Sequence, residues 1–152
     1  MRTVRVTQTF AASLPEAERR WYDTSGWPAW VDGLDHVLEV DGDWPNAGAS
    51  VTWESGPAGR GRVTELVVAR EPLAGQTLEV QDESIRGRQS VTFAAVDPGV
   101  EVALSLKYEL KRRSVVTPIV DVLFIRRAMA VSLGLTVSRF GVGLLAGRGA
   151  QP

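Results

Sequence analysis

The chain contains no cysteine. That absence removes disulfides, thiolate nucleophiles, iron–sulfur clusters and cysteine-based zinc sites together. Histidine is almost as scarce: His36 stands alone, so a Ser-His-Asp triad could be built only around it and a site with two histidine ligands is excluded. Charge of one sign is lacking too, with 17 basic residues against 18 acidic ones and a formal net charge of -1. A dedicated nucleic-acid binder would concentrate a basic excess on one face, so no nucleic-acid partner is expected. The opening MRTVRVTQTF alternates polar and apolar residues and has no apolar signal-peptide core, which predicts a cytoplasmic protein. Near the other end, the longest charge-free stretch, residues 128–138, falls short of the roughly 20 residues that a transmembrane span requires.

What is present has an ordinary globular balance, 152 residues of which 44% are apolar and 23% charged. A chain of this length buries roughly 68–70% of its unfolded surface, enough for one core without covalent staples. A single domain over residues 1–147 is predicted, with a flexible tail at 148–152.

Residues 3–10 alternate as a half-buried strand, with Val4, Val6 and Phe10 on the apolar positions. Ser13 followed by Glu16 reads as a capping box opening a helix through about Tyr22. A second short helix is predicted over 27–31, with Pro28 in its first turn and Gly33 beyond it. Six strands then follow over 34–40, 49–54, 60–70, 76–81, 87–96 and 100–110, separated by turn residues such as Asp41-Gly42-Asp43 and Asp97-Pro98-Gly99. From Thr117, an N-cap before Pro118, a long helix is expected to run to about Ala146 and stop at Gly147.

This order, with Ala12-Ser13-Leu14-Pro15-Glu16, Trp27-Pro28-Ala29-Trp30-Val31, Val63-Thr64-Glu65 before Glu71-Pro72, and the closing Tyr108-Glu109-Leu110, resembles the START-like or Bet v 1-like helix-grip superfamily. Within it, the chain is similar to bacterial polyketide cyclase/dehydrase-like (SRPBCC) proteins. The resemblance implies an α+β helix-grip fold: a curved seven-stranded antiparallel sheet, two short helices after strand 1, and a long C-terminal helix. It also implies a ligand cavity between sheet and helix, but no particular reaction, since a fold does not fix a chemistry.

On the long helix, 100° per residue puts Asp121, Ser132, Thr136 and Arg139 on a polar stripe, with Gly143 alongside. The opposite side carries Leu123, Ala130, Gly134 and Gly141, bordered by Ser138, and is expected to face the sheet. Small residues there either allow close packing or leave room for a ligand; the Ala130, Gly134, Ser138 spacing also offers a partner surface. Trp27 or Trp30 would close one end of the cavity. Trp53, sharing a face with Val51, and Tyr108, sharing one with Leu106, would make aromatic walls.

Polar candidates are less defined. Arg88 and Ser90 alternate with Gln89, Val91 and Phe93, and either set could point inward. Arg127 is placed to reach a cavity rim. Glu54, Glu65 and Glu79 are expected on the wet convex face. His36 shares a strand face with Leu34, Leu38 and Val40, which would turn it inward, where a lone histidine is more often a hydrogen-bonded core residue than a base. Nothing calls for a cofactor, a metal or a phosphate loop, because the glycine-rich residues 56–61 join two strands.

These features predict a protein that binds a small hydrophobic ligand, aromatic, polyketide-like or lipid-like. The ligand-binding candidates are Trp27, Trp30, Trp53, Phe93, Leu106, Tyr108, Leu123, Arg127, Ala130, Gly134 and Ser138. A cyclase-type enzyme is the alternative, with Tyr108, Arg88 or His36 handling protons. A third reading is an interaction protein using the apolar helix, monomeric or homodimeric. Arg112, Arg113, Arg126 and Arg127 offer a peripheral contact to anionic lipid.

Overall fold

The computed structural model describes residues 2–57, 59–111 and 119–149, and within the last segment the side chains of 125–147. The chain runs β1 (Arg2–Phe10), α1 (Leu14–Tyr22), a 3-10 turn (Thr24–Gly26), α2 (Trp27–Trp30), β2 (Leu34–Asp41), β3 (Ser50–Ser55), β4 (Arg62–Glu71), β5 (Gly75–Gln81), β6 (Ile85–Ala95), β7 (Val100–Leu110) and α3 (Ile119–Gly149). The seven strands form one sheet in the order β1-β7-β6-β5-β4-β3-β2, every neighbour antiparallel. The predicted helix-grip architecture is therefore the observed one. Short turns make β2 to β7 a meander, and β1 completes it by pairing with β7 from Arg2↔Tyr108 to Phe10↔Val100.

Alternation sets the two faces. In β4, Val63, Glu65 and Val67 point inward while Arg62, Thr64 and Leu66 point out; in β7, Val100, Val102, Leu104, Leu106 and Tyr108 line the core. In β6 the inward set is Ile85, Val91 and Phe93, with Gln89 half-buried between them, and Arg88 faces outward. Helix α1 starts where predicted: Ser13 Oγ accepts from the Glu16 backbone N–H at 3.3 Å and donates to Glu16 Oε1 at 2.9 Å.

Two expectations of orientation are corrected. Strand β2 pairs with β3 through register shifts between Leu34 and His36 and between Val37 and Glu39. Such irregularities break the two-residue period. Leu34 is buried and Val37 packs against the core, while His36, Leu38 and Val40 are turned to solvent. His36 is thus not inward; its Nδ1 lies 2.7 Å from Asp35 Oδ2 on the surface.

Helix α3 lies along β1 and against α2, but about a quarter turn from the expected orientation. Its sheet-facing stripe is Leu133, Val137, Phe140 and Leu144, the i, i+4, i+7, i+11 pattern of one helix face. Ala130, Arg127 and Ser138 face solvent and Gly134 is half-buried with open space around it, so these residues do not line the sheet side. Gly141 does make close contact: a Cβ there would overlap the Phe10 ring. The helix also passes through Gly147 and ends at Gly149. The predicted cap Thr117-Pro118, the side chains of Asp121 and Leu123, and residues 150–152 lie outside the described residues.

Ile125–Gly147 is long and apolar enough, by length and composition only, to cross a membrane. Arg126, Arg127 and Arg139 interrupt it, and its buried stripe is packed inside this domain.

Candidate functional site

The short helices build an aromatic cluster beneath α3. Trp21 and Trp30 stand 4.8 Å apart, Trp21 and Trp30 each lie 5.1 Å from Phe140, and Trp27 is 5.6 Å from Trp44. Two indoles are anchored to the chain that carries them: Trp27 Nε1 donates to the Trp21 carbonyl and Trp44 Nε1 to the Tyr22 carbonyl, both at 2.8 Å. Trp21 and Trp30 are tilted by 44°, and in the other three pairs ring edges meet ring faces, the geometry that aromatic quadrupoles favour.

Between this cluster, the sheet and α3 lies an interior cavity of about 50 Å³. One water needs roughly 10–15 Å³ of such volume, so the cavity holds a few. Trp21, Trp27, Trp30 and Trp53 form its walls, with Leu78, Leu104 and Leu133 completing the apolar surface. At the sheet end sit Glu65, Arg60, Gln76 and Gln89; at the helix end sit Asp32, Ser132 and Thr136.

Glu65 is the unexpected member. Inward alternation beside Val63 and Val67 places it on the core face, 6% exposed, and not on the convex face where a glutamate was expected. Trp53 Nε1 donates to its Oε2 at 3.2 Å. Desolvation raises its pKa to about 7, opposed by the nearby positive charge of Arg60 and by the Trp53 hydrogen bond. Arg60 is held by Asp82, Nε to Oδ2 at 2.6 Å, and its guanidinium lies 5.7 Å from the Trp53 ring. Asp82 is fully engaged in this turn, since its Oδ1 accepts from the backbone N–H groups of Ser84 and Ile85.

The other end is closed by a clasp. Asp32, just after α2, accepts from Ser132 Oγ at 2.8 Å and from Arg139 Nη1 at 3.1 Å, while its own backbone N–H donates to Thr136 Oγ1 at 2.9 Å. Ser132 and Thr136 of the polar stripe, with the exposed Arg139 beside them, therefore meet the residue that follows α2 at the cavity mouth.

Of the residues singled out in the sequence, Trp27, Trp30 and Trp53 line the cavity. Phe93, Leu106 and Tyr108 are buried on the same concave face but outside its lining. The Tyr108 hydroxyl is buried without a partner among the described residues, and burial raises its pKa. Arg88 lies on the outer face, paired to Glu79 at 3.2 Å, far from the interior side of the sheet. Glu54 pairs with Arg62 there as well. Trp21, Asp32, Arg60 and Gln76 are lining residues that the sequence does not single out as ligand contacts; Gln89 belongs to one of the two β6 sets left open, and Glu65, Ser132 and Thr136 are expected on polar faces away from the cavity. Strand parity signalled Glu65, but nothing local signals Asp32 meeting a helix a hundred residues on.

A larger depression, about 710 Å³, lies on the outer face among Thr64, Leu66, Arg86, Arg88, Lys107 and Glu109. It is open to solvent, and two of its arginines are paired, Arg86 to Glu109 and Arg88 to Glu79. Among the described residues no group of three or more metal-ligating side chains occurs.

The sheet wrapped on a long helix, with two short helices closing one end, defines the Bet v 1-like helix-grip class. The family model described as polyketide cyclase/dehydrase and lipid transport matches residues 1–140, and the chain belongs to that family. Solved structures agree on the fold. The protein TTHA0849 from Thermus thermophilus is 18% identical with a TM-score of 0.73, over 96% of this chain and 99% of that one. Ara h 8.0201 is 11% identical with a TM-score of 0.67, over 95% and 98%. A point mutant of norcoclaurine synthase from Thalictrum flavum, in complex with a transition-state analogue, is 10% identical with a TM-score of 0.70, over 97% and 96%. No curated protein matches the sequence.

Proposed function

We propose that this protein binds a small hydrophobic ligand, aromatic, polyketide-like or lipid-like, in the interior cavity between the sheet and α3. The observation that carries the reading is the convergence of four indoles on one internal space that also reaches a buried carboxyl group. A core optimised only for stability would leave neither such a space nor a buried carboxyl group beside it. Membership in a family described by polyketide cyclisation and lipid transport supports the same ligand class. In the closed state the cavity accepts only a few heavy atoms, so a larger ligand enters by parting α2 from α3 at the Asp32 clasp. A thermal-shift screen against hydroxylated polyketide aromatics, quinones and fatty acids, followed by native mass spectrometry, tests the reading. A saturable rise in Tm with a 1:1 complex is expected from one class; no shift and no complex from any would overturn it.

A catalytic reading has one observation in its favour. Glu65, with a pKa of about 7, is poised for proton transfer near neutral pH. His36 and Arg88 take no part in it, both being on the outside. Glu65→Gln should then slow dehydration of a β-hydroxyketone probe at least about 100-fold; equal rates in both proteins would eliminate catalysis by Glu65.

A further inference from the structure

The cavity's polar groups are unevenly satisfied. Trp30 Nε1 and Arg60 Nη2 are both buried donors with no hydrogen-bond partner among the described residues, and both side chains line the cavity. Trp30 is 1% exposed. A buried donor left unpaired costs roughly 1–3 kcal/mol, so two of them beside one small space call for an acceptor within it. Asp82 is committed to Arg60 Nε and two backbone N–H groups, and Glu65 Oε2 to Trp53, while the remaining acceptors of the lining, on Glu65, Gln76 and Gln89, hydrogen-bond neither donor. An anionic acceptor is disfavoured, because the charge of Arg60 is already paired with Asp82 and the Glu65 carboxyl borders the same space. A neutral oxygen fits. Glu65 adds a second requirement, since only one of its carboxyl oxygens is engaged by Trp53.

Resting on the reading of this cavity as a ligand site, we infer that Trp30, Arg60 and Glu65 together select a neutral ligand bearing a hydroxy-carbonyl pair. The carbonyl oxygen accepts from Trp30 Nε1 and Arg60 Nη2. The hydroxyl donates to Glu65, and the carbon body lies against the Trp53 and Trp21 rings. A purely apolar ligand would leave both donors unpaired and bind more weakly.

The test is calorimetric titration of the whole protein with 3-hydroxyacetophenone, acetophenone and ethylbenzene, probes of one ring size that lose first the hydroxyl and then the carbonyl. Affinity should fall in that order, by about tenfold for each group removed. Trp30→Phe, which keeps a ring and deletes the N–H, should weaken 3-hydroxyacetophenone and acetophenone by about tenfold and leave ethylbenzene unchanged. Glu65→Leu should bring 3-hydroxyacetophenone to the level of acetophenone. Equal affinity of the wild-type protein for all three probes would overturn the selection while leaving the cavity as a ligand site. Binding of none of them, at concentrations that saturate the thermal-shift ligand, would also overturn it; if no thermal-shift ligand exists either, the cavity reading falls first.

Discussion

Burial of Glu65 makes the stability of this fold depend on pH in a defined direction. In the unfolded chain its carboxyl ionises near the ordinary value of 4.5, whereas in the folded protein it holds its proton up to about 7. Below pH 4.5 both states carry the proton and the residue imposes no ionisation penalty. Between 4.5 and 7 the unfolded state releases its proton first, so stability falls; above 7 the loss is constant. Glu65→Gln, whose amide oxygen still accepts from Trp53, should therefore stabilise more at pH 8 than at pH 4, the difference being about 3 kcal/mol. Urea unfolding at the two pH values measures it, and an equal effect at both would contradict the placement of this side chain. By contrast, His36→Ala and Arg88→Ala should each change stability by no more than about 0.5 kcal/mol and leave ligand binding unaltered, because both side chains are exposed. The average habit of glutamate places Glu65 in solvent. The local alternation Val63-Glu65-Val67 pointed the other way, and it was the better guide because register binds a whole strand face together.

At the scale of elements, α3 is positioned by two contacts of opposite character. Gly141 brings the helix backbone against Phe10 of β1, where added volume has nowhere to go. Gly141→Ala should destabilise the protein by about 1–3 kcal/mol despite the better helix propensity of alanine, as read from thermal or denaturant unfolding. A stabilised variant would mean that the helix rides further from the strand. The second contact is the Asp32 clasp to Ser132 and Arg139. Asp32→Ala should cost about 1–2 kcal/mol and speed hydrogen exchange of the amides in α2 relative to those of β7. Unchanged exchange in α2 would show that the clasp does not hold the cavity mouth. The extents of both short helices and the strand order were legible from caps, turns and periods. The rotation of α3 was not, because it is apolar around most of its circumference and the choice of buried stripe falls to Leu133, Val137 and Phe140 meeting the sheet. The face of His36 was equally illegible, since two register shifts in β2 arise from pairing with β3 and have no local signature.

For the whole molecule, one sheet, one gripping helix and an aromatic plug leave, among other depressions, a small interior concavity walled by indoles and a wide outer one bordered by paired charges. The sequence located three of the four indoles that wall the first, Trp27, Trp30 and Trp53, but not its size, which depends on how side chains from several elements fill a shared volume. Ligand binding is assigned to the interior space. A crystal structure of the protein with the tightest-binding member of the ligand panel decides the matter. The ligand is expected between Trp30, Trp53 and Leu104, with an oxygen within hydrogen-bond distance of Trp30 Nε1. Ligand density confined to the outer groove beside Arg86 and Arg88, with water alone in the interior, would contradict it.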